Sequence, residues 1–126
     1  MVNKIPKGLF RIFSVVYESV DDPSLDSIIS WSQSNNSFVI VNLEELNHRK
    51  IFARFYSRHL PDLFSVLEYY GFERIKGAGE LEFGNVNFVR GRPELLERMH
   101  SRVVAKMGNA AYQRKQAADA FQRLSI

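Results

Sequence analysis

The sequence predicts an α+β domain of three helices and a small antiparallel sheet, followed by a separate C-terminal helix. Three observations carry this. Apolar residues recur at helical spacing in three stretches before residue 72. Short apolar runs bounded by turn residues lie between and after them. The stretch from Pro61 to Phe72 reads as a helix that stops at a glycine and passes straight into a strand.

The elements follow in order. A first helix is predicted over residues 6–19, where Phe10, Phe13, Val16 and Tyr17 form one apolar stripe. Asp21-Asp22-Pro23 breaks it. Ile28–Trp31 reads as a short half-buried strand that places Trp31 in the core, and Ser37–Val41 is its hairpin partner. Between them, Gln33-Ser34-Asn35-Asn36 is turn chemistry. A second helix is predicted over Leu43–Tyr56, with Leu46, Ile51, Phe52 and Phe55 facing inward.

The third helix is the most informative segment. Pro61 suits its first turn, where a proline loses no intrahelical bond. Leu63, Phe64, Leu67 and Tyr70 share one face, which predicts burial. Gly71 can end the helix in the left-handed region, where a Cβ is penalised. The opposite face centres on Ser65, flanked by Asp62, Glu68 and Tyr69. Phe72–Lys76 and Glu80–Phe83 read as two strands joined by Gly77-Ala78-Gly79, a short wing. The order is that of a winged helix-turn-helix with a three-helix core, and Trp31, Phe52, Leu67 and Phe72 are expected to be buried.

The chain divides at about residue 92. Residues 1–92 are expected to form the winged-helix domain, and 93–126 a basic helical tail. Pro93 fits a helix start, and Glu94 with Arg98 is a favourable pair four residues apart. Leu96, Val103, Ala110, Ala117 and Leu124 recur every seventh residue. The other seam positions carry Lys106, Gln113 or Arg114, and Gly108-Asn109 interrupts the run, so this is a poor coiled coil.

Composition bounds the function classes. The 126 residues, 45% hydrophobic and 25% charged, suit one small globular domain. Cysteine is absent, which excludes disulfides and thiolate metal sites and points to a reducing or indifferent compartment. No apolar run approaches the roughly 20 residues that span a bilayer, and the N-terminus lacks a signal-peptide apolar core. His48, His59 and His100 do not fall at a metal-ligand spacing, and no nucleophile elbow, P-loop or dinucleotide fingerprint is present. No catalytic residue, cofactor or metal is therefore expected. Charge is uneven: residues 90–126 carry eight basic and three acidic residues, while 1–89 carry nine basic and eleven acidic ones.

Several motifs resemble the DNA-binding domain of the heat shock factor family. Val20-Asp21-Asp22-Pro23-Ser24, Ile28-Ile29-Ser30-Trp31-Ser32 and Asn35-Asn36-Ser37-Phe38 match its V-D-D-P-S, I-V-S-W-S and N-N-S-F. Arg58 through Phe72 is similar to N-N-F-S-S-F-V-R-Q-L-N-T-Y-G-F, the family's recognition helix. Glu82-Phe83 and Phe88-Val89-Arg90-Gly91 resemble W-E-F and F-L-R-G. The likeness covers roughly residues 6 to 98 in the family's order and spacing, with the short wing of its plant-type members. It implies double-stranded DNA as partner, a nuclear location and transcriptional regulation in stress responses. The family's trimerisation coiled coil is not evident.

The resemblance also shows a departure. In the family an Arg of F-V-R-Q-L-N reads guanine in the major groove, where its bidentate bond is worth about 1–3 kcal/mol of discrimination. That position is Ser65 here, which is too short for such a bond. The family's Gln and Asn become Val66 and Glu68, and Asp62 replaces a serine. The DNA contacts implied by the resemblance are Arg54, Arg58, His59, Ser65, Tyr69, Arg74 and Lys76. Taken singly, Ser65 reads as a solvated helix residue, Arg54 and Arg58 as surface charges, and Tyr69 as packing on the wing. Two functions follow: a DNA-binding module of altered or weakened specificity, or a winged-helix module presenting Ser65, Glu68 and Tyr69 to a protein partner.

Overall fold

The computed structural model describes residues 4–53, 60–77 and 81–124. Helix α1 spans Arg11–Val20 and buries Phe13, Val16 and Tyr17 along the predicted stripe. It starts later than the periodicity predicts. Gly8 has φ +84, so the chain turns before the helix begins. Phe10 is the N-cap residue, has no side-chain cap to offer, and donates its own N–H to Nδ1 of His100 at 3.1 Å. Asp22 then caps a short 3-10 turn, Pro23–Leu25, through the Ser24 N–H.

Strands β1 (Ile29–Trp31), β2 (Ser37–Ile40), β3 (Glu73–Arg74) and β4 (Leu81–Gly84) form one antiparallel sheet in the order β1-β2-β4-β3. The hairpin and the wing thus join through β2 and β4, with Phe38 opposite Phe83 and Ile40 opposite Leu81. Ile29, Phe38, Ile40 and Phe83 point into the core, while Ser30, Val39 and Glu82 lie abreast on the other face. Trp31 is only half-buried, contrary to expectation. Its ring packs on Tyr17 and Phe88, but its indole N–H donates to Asp21 Oδ1 at 3.0 Å and holds that edge at the surface.

Helix α2 runs over Leu43–His48 with the Asn42 side chain accepting from the Glu45 N–H. It is much shorter than predicted. Lys50 adopts φ +55, and the N–H groups of Lys50 and Ile51 close onto the carbonyls of Asn47 and Leu46. That is the bond pattern of a Schellman cap, which ends a helix. Leu46 and Phe52 are buried and Ile51 is partly so, as expected; Phe55 lies outside the described residues. Helix α3 spans Leu60–Tyr69.

After a 3-10 turn at Pro93–Leu95, helix α4 runs from Leu96 to Leu124. Gly108-Asn109 does not interrupt it, because neighbouring backbone hydrogen bonds carry the helix through a single glycine at a cost of about 1 kcal/mol. Leu96 and Val103 do not form a seam. With Met99 they are buried in the same core as α1, α3 and the sheet. The 3-10 geometry also redirects Glu94, which pairs with Arg92 rather than with Arg98. No helix among the described residues is long and apolar enough to cross a membrane.

Candidate nucleic-acid interface

The exposed face of α3 is held in place by the face behind it. Leu63 and Leu67 are fully buried. Phe64 stacks on Phe83 with centroids 5.7 Å apart, and Phe83 stacks in turn on Phe38 at 5.9 Å. Tyr70 sets its edge against Phe10 and Phe13. Helix α3 is thus gripped by the sheet on one side and by α1 on the other.

Its C-terminus is closed by a second Schellman cap. Gly71 has φ +101, its N–H reaches the Glu68 carbonyl at 3.0 Å, and the Phe72 N–H reaches that of Leu67 at 2.9 Å. The Gly71 carbonyl accepts from Asn85 Nδ2 at 2.7 Å, which ties the cap to the end of β4. Buried Phe72 then fixes the start of β3.

This frame presents Ser65, Glu68 and Tyr69 to solvent on one side of α3, with Asp62 half-buried in its first turn. Arg74 and Lys76 are exposed on the wing, Arg74 within β3 at the edge of the sheet. Arg54, Arg58 and His59 lie outside the described residues. Among the described residues Tyr69 packs toward α4 rather than on the wing. It lies against Tyr70, and Lys106 Nζ of α4 stands 4.1 Å above its ring, with a hydrogen bond to its backbone carbonyl at 3.4 Å. A cation there suits both the π-face and the negative end of a helix dipole. Lys106 is a neighbour of the site that the sequence reading missed; the spacing Arg98, Arg102, Lys106 was the available signal.

The remaining hollows are modest. A cleft of about 150 Å³ separates the end of α3 from α4, lined by Glu68, Tyr69, Asn85, Arg102 and Lys106 among others. An open trough of about 560 Å³ lies on the outer face of the sheet. There, buried Ser37 donates to Glu82 Oε2 at 2.6 Å beside Ser32 and Ser34. Among the described residues no group of three or more His, Asp and Glu could hold a metal ion. What remains is a rigid, exposed helix with basic residues on the wing and on α4 beside it.

Comparison with known proteins agrees with this geometry. Residues 12–102 match the model of a family described as HSF-type DNA-binding. Heat stress transcription factor A-4a of Arabidopsis thaliana is 42% identical over 87 residues, which are 68% of this chain and 21% of that protein. Heat stress transcription factor A-4c of the same organism is 39% identical over 87 residues, 68% of this chain and 25% of that protein. The chain therefore spans between a fifth and a quarter of those relatives' length. Among solved structures, Skn7 of Chaetomium thermophilum with SSRE DNA superposes with a TM-score of 0.61 at 22% identity, covering 70% of this chain and 95% of that one. The same protein with HSE DNA gives 0.60 at 23% identity, covering 71% and 97%. At these identities the likeness speaks for the fold.

Proposed function

This chain belongs to the HSF-type DNA-binding family, and from that premise we propose that it binds double-stranded DNA as the reading domain of a heat-shock-factor-like transcriptional regulator acting in the nucleus. Helix α3 enters the major groove. The wing residues Arg74 and Lys76, with Arg54, Arg58 and His59 ahead of α3, meet phosphate. Tyr69 borders the groove. Sequence preference is weakened because Ser65 replaces the base-reading Arg. An enzymatic role has no place in this family.

The single observation that carries this reading is the mounting of α3. Its inner face is buried on Leu63 and Leu67 while Ser65 stands exposed at the centre of its outer face. A helix fixed on one side and bare on the other is what groove entry requires. Phosphate contacts then supply most of the affinity, so binding is steeply salt-dependent and little affected by sequence.

The test restores the missing donor. Ser65→Arg combined with Glu68→Asn is titrated in competition against duplexes with GAA-type repeats and scrambled duplexes at fixed salt. The Asn removes an acid that would pair with the new Arg three residues away. The expected gain in the matched-to-scrambled ratio is about 1–3 kcal/mol. No gain would mean that α3 does not enter the groove in the family's orientation. The acidic Asp62 and Glu68 on this face would then favour a protein partner.

A further inference from the structure

We infer that α4 extends the DNA-binding surface: Arg98, Arg102 and Lys106 form a basic ridge that binds the phosphodiester backbone flanking the segment read by α3. The inference rests on the DNA-binding reading above and adds a second contact surface to it.

The geometry begins with the helix period. Steps of four residues advance roughly 400°, so each basic residue lies about 40° round from the last and about 6 Å further along the axis. The ridge is therefore about 12 Å long and spirals slowly. Met99 and Val103 fix which side of α4 is buried. On that wheel Arg98 faces solvent, and Lys106 lies at the border with α3. The contact of Lys106 with the Tyr69 ring and carbonyl confirms the border position. Tyr69 is one turn beyond Ser65, so the ridge runs from the end of the reading helix outward.

The charges are not neutralised, although the Lys106 ammonium also engages the Tyr69 ring and carbonyl. All three residues are exposed, and none forms an ion pair with an acid among the described residues. Glu94, the acid four residues before Arg98, pairs with Arg92 instead. Glu97 lies about 100° round the helix from Arg98. Arg102 lines both the cleft beside Tyr69, which Glu68 also borders, and a second open hollow with Arg98, Asn87, Ser101 and Glu97, so ridge and cleft are continuous.

Charge complementarity chooses the occupant. The reading helix carries Asp62 and Glu68 toward a polyanion, and the first 89 residues are slightly acidic. Compensating cations must come from elsewhere in the chain. A duplex offers one negative charge per roughly 1.7 Å of axis, a density suited to a row of cations without sequence preference.

The experiment uses the full chain and fluorescence anisotropy on matched and scrambled duplexes over a range of salt concentrations. For Arg98→Gln/Arg102→Gln/Lys106→Gln, the slope of log K against log salt should become shallower by roughly 0.9 per lost phosphate contact, so by roughly 2–3 in all. The matched-to-scrambled ratio should not change. Glutamine is a good helix former, and circular dichroism checks that α4 persists. Lys106→Arg keeps the charge and the stacking and should preserve the slope. Arg90→Gln is the charge control, since Arg90 sits beside Asn35 in the β1–β2 turn and Arg92 stays in place to hold Glu94 away from Arg98. An unchanged slope in the triple variant, or an equal loss per charge in the control, overturns the ridge while leaving α3's role intact. Failure of the parent to bind either duplex at low salt overturns both.

Discussion

Replacing Gly84 with alanine should markedly destabilise the domain, because among the described glycines it alone would bring an added Cβ within 3.0 Å of its neighbours. Gly84 ends β4 and lies opposite Ser37 of β2 in the centre of the sheet. A Cβ there would stand 2.7 Å from Ser37 Cβ, 2.9 Å from the Asn36 carbonyl oxygen and 3.2 Å from Ser37 Cα. None of these atoms ends a flexible side chain. Ser37 is itself fixed, with no exposed surface and its hydroxyl donated to Glu82. Relief must therefore come from separating β2 and β4, which also strains the Phe38–Phe83–Phe64 stack under α3. Overpacking of buried sites costs typically 1–3 kcal/mol, and a clash against backbone belongs near the top, at about 3 kcal/mol. For a domain of this size each kcal/mol moves Tm by roughly 4–8 °C, so a fall of at least about 10 °C is expected. The assay is thermal unfolding by circular dichroism, with Gly108→Ala as control because nothing lies within 4 Å of that position. A Gly84→Ala Tm within about 3 °C of the parent would refute the close approach of the two strands.

Lys50→Gly should raise stability by about 0.5–1 kcal/mol in urea unfolding. The left-handed conformation costs a residue with a Cβ about 1–2 kcal/mol, and the freedom glycine adds to the unfolded chain offsets part of the gain; a less stable variant would contradict the cap at Lys50. Leu67→Ala should lose about 2–5 kcal/mol in the same assay, because Leu67 has no exposed surface and its cavity lies directly beneath the exposed face of α3; a loss below about 1 kcal/mol would mean α3 is not seated as described. Burial raises the Tyr17 hydroxyl above its ordinary value of 10.0, reinforced by Asp21 and Glu94 and opposed by the Gly91 N–H and Arg90. The unfolded chain then loses this proton first, so Tyr17's contribution is present below about pH 10 and is lost as pH rises through the folded value. Urea midpoints from pH 8 to 11 should fall less steeply for Tyr17→Phe than for the parent, and identical slopes would argue against a buried hydroxyl.

The two helix caps show how far the sequence can be read and where reading stops. Gly71 and Lys50 close their helices with the same pair of backbone bonds. Glycine advertises a left-handed residue and lysine does not, so the end of α3 is legible in the sequence and the end of α2 is not. The apolar faces of α1 and α3 were legible because their spacing is local. The root of α4 was not. Leu96 and Val103 stand seven residues apart, a spacing that fits a seam between helices as well as a core contact, and only the tertiary fold distinguishes the two. The N-cap of α1 is equally hidden, since its acceptor, His100, is ninety positions away. In the candidate site, the exposure of Ser65, Glu68 and Tyr69 followed from the helical period alone. The partner of Tyr69 did not, because Lys106 reaches it from another element. Arg54, Arg58 and His59 lie outside the described residues, and their placement rests on the resemblance.

The hydrogen bond from Phe10 to His100 gives α4 a mechanical character. The helix is rooted by Leu96, Met99, His100 and Val103, and His100 is pinned to the first turn of α1 while its ring packs on Phe10 and Phe13. Beyond Lys106 it continues for eighteen residues, about 27 Å at the helical rise. It is a lever held at its base by these contacts. A load applied near Leu124 would be felt at the start of α1 and, through Phe10, Phe13 and Tyr70, at the end of α3. Direction imposed on the far end of α4 would thereby be converted into torque on α3.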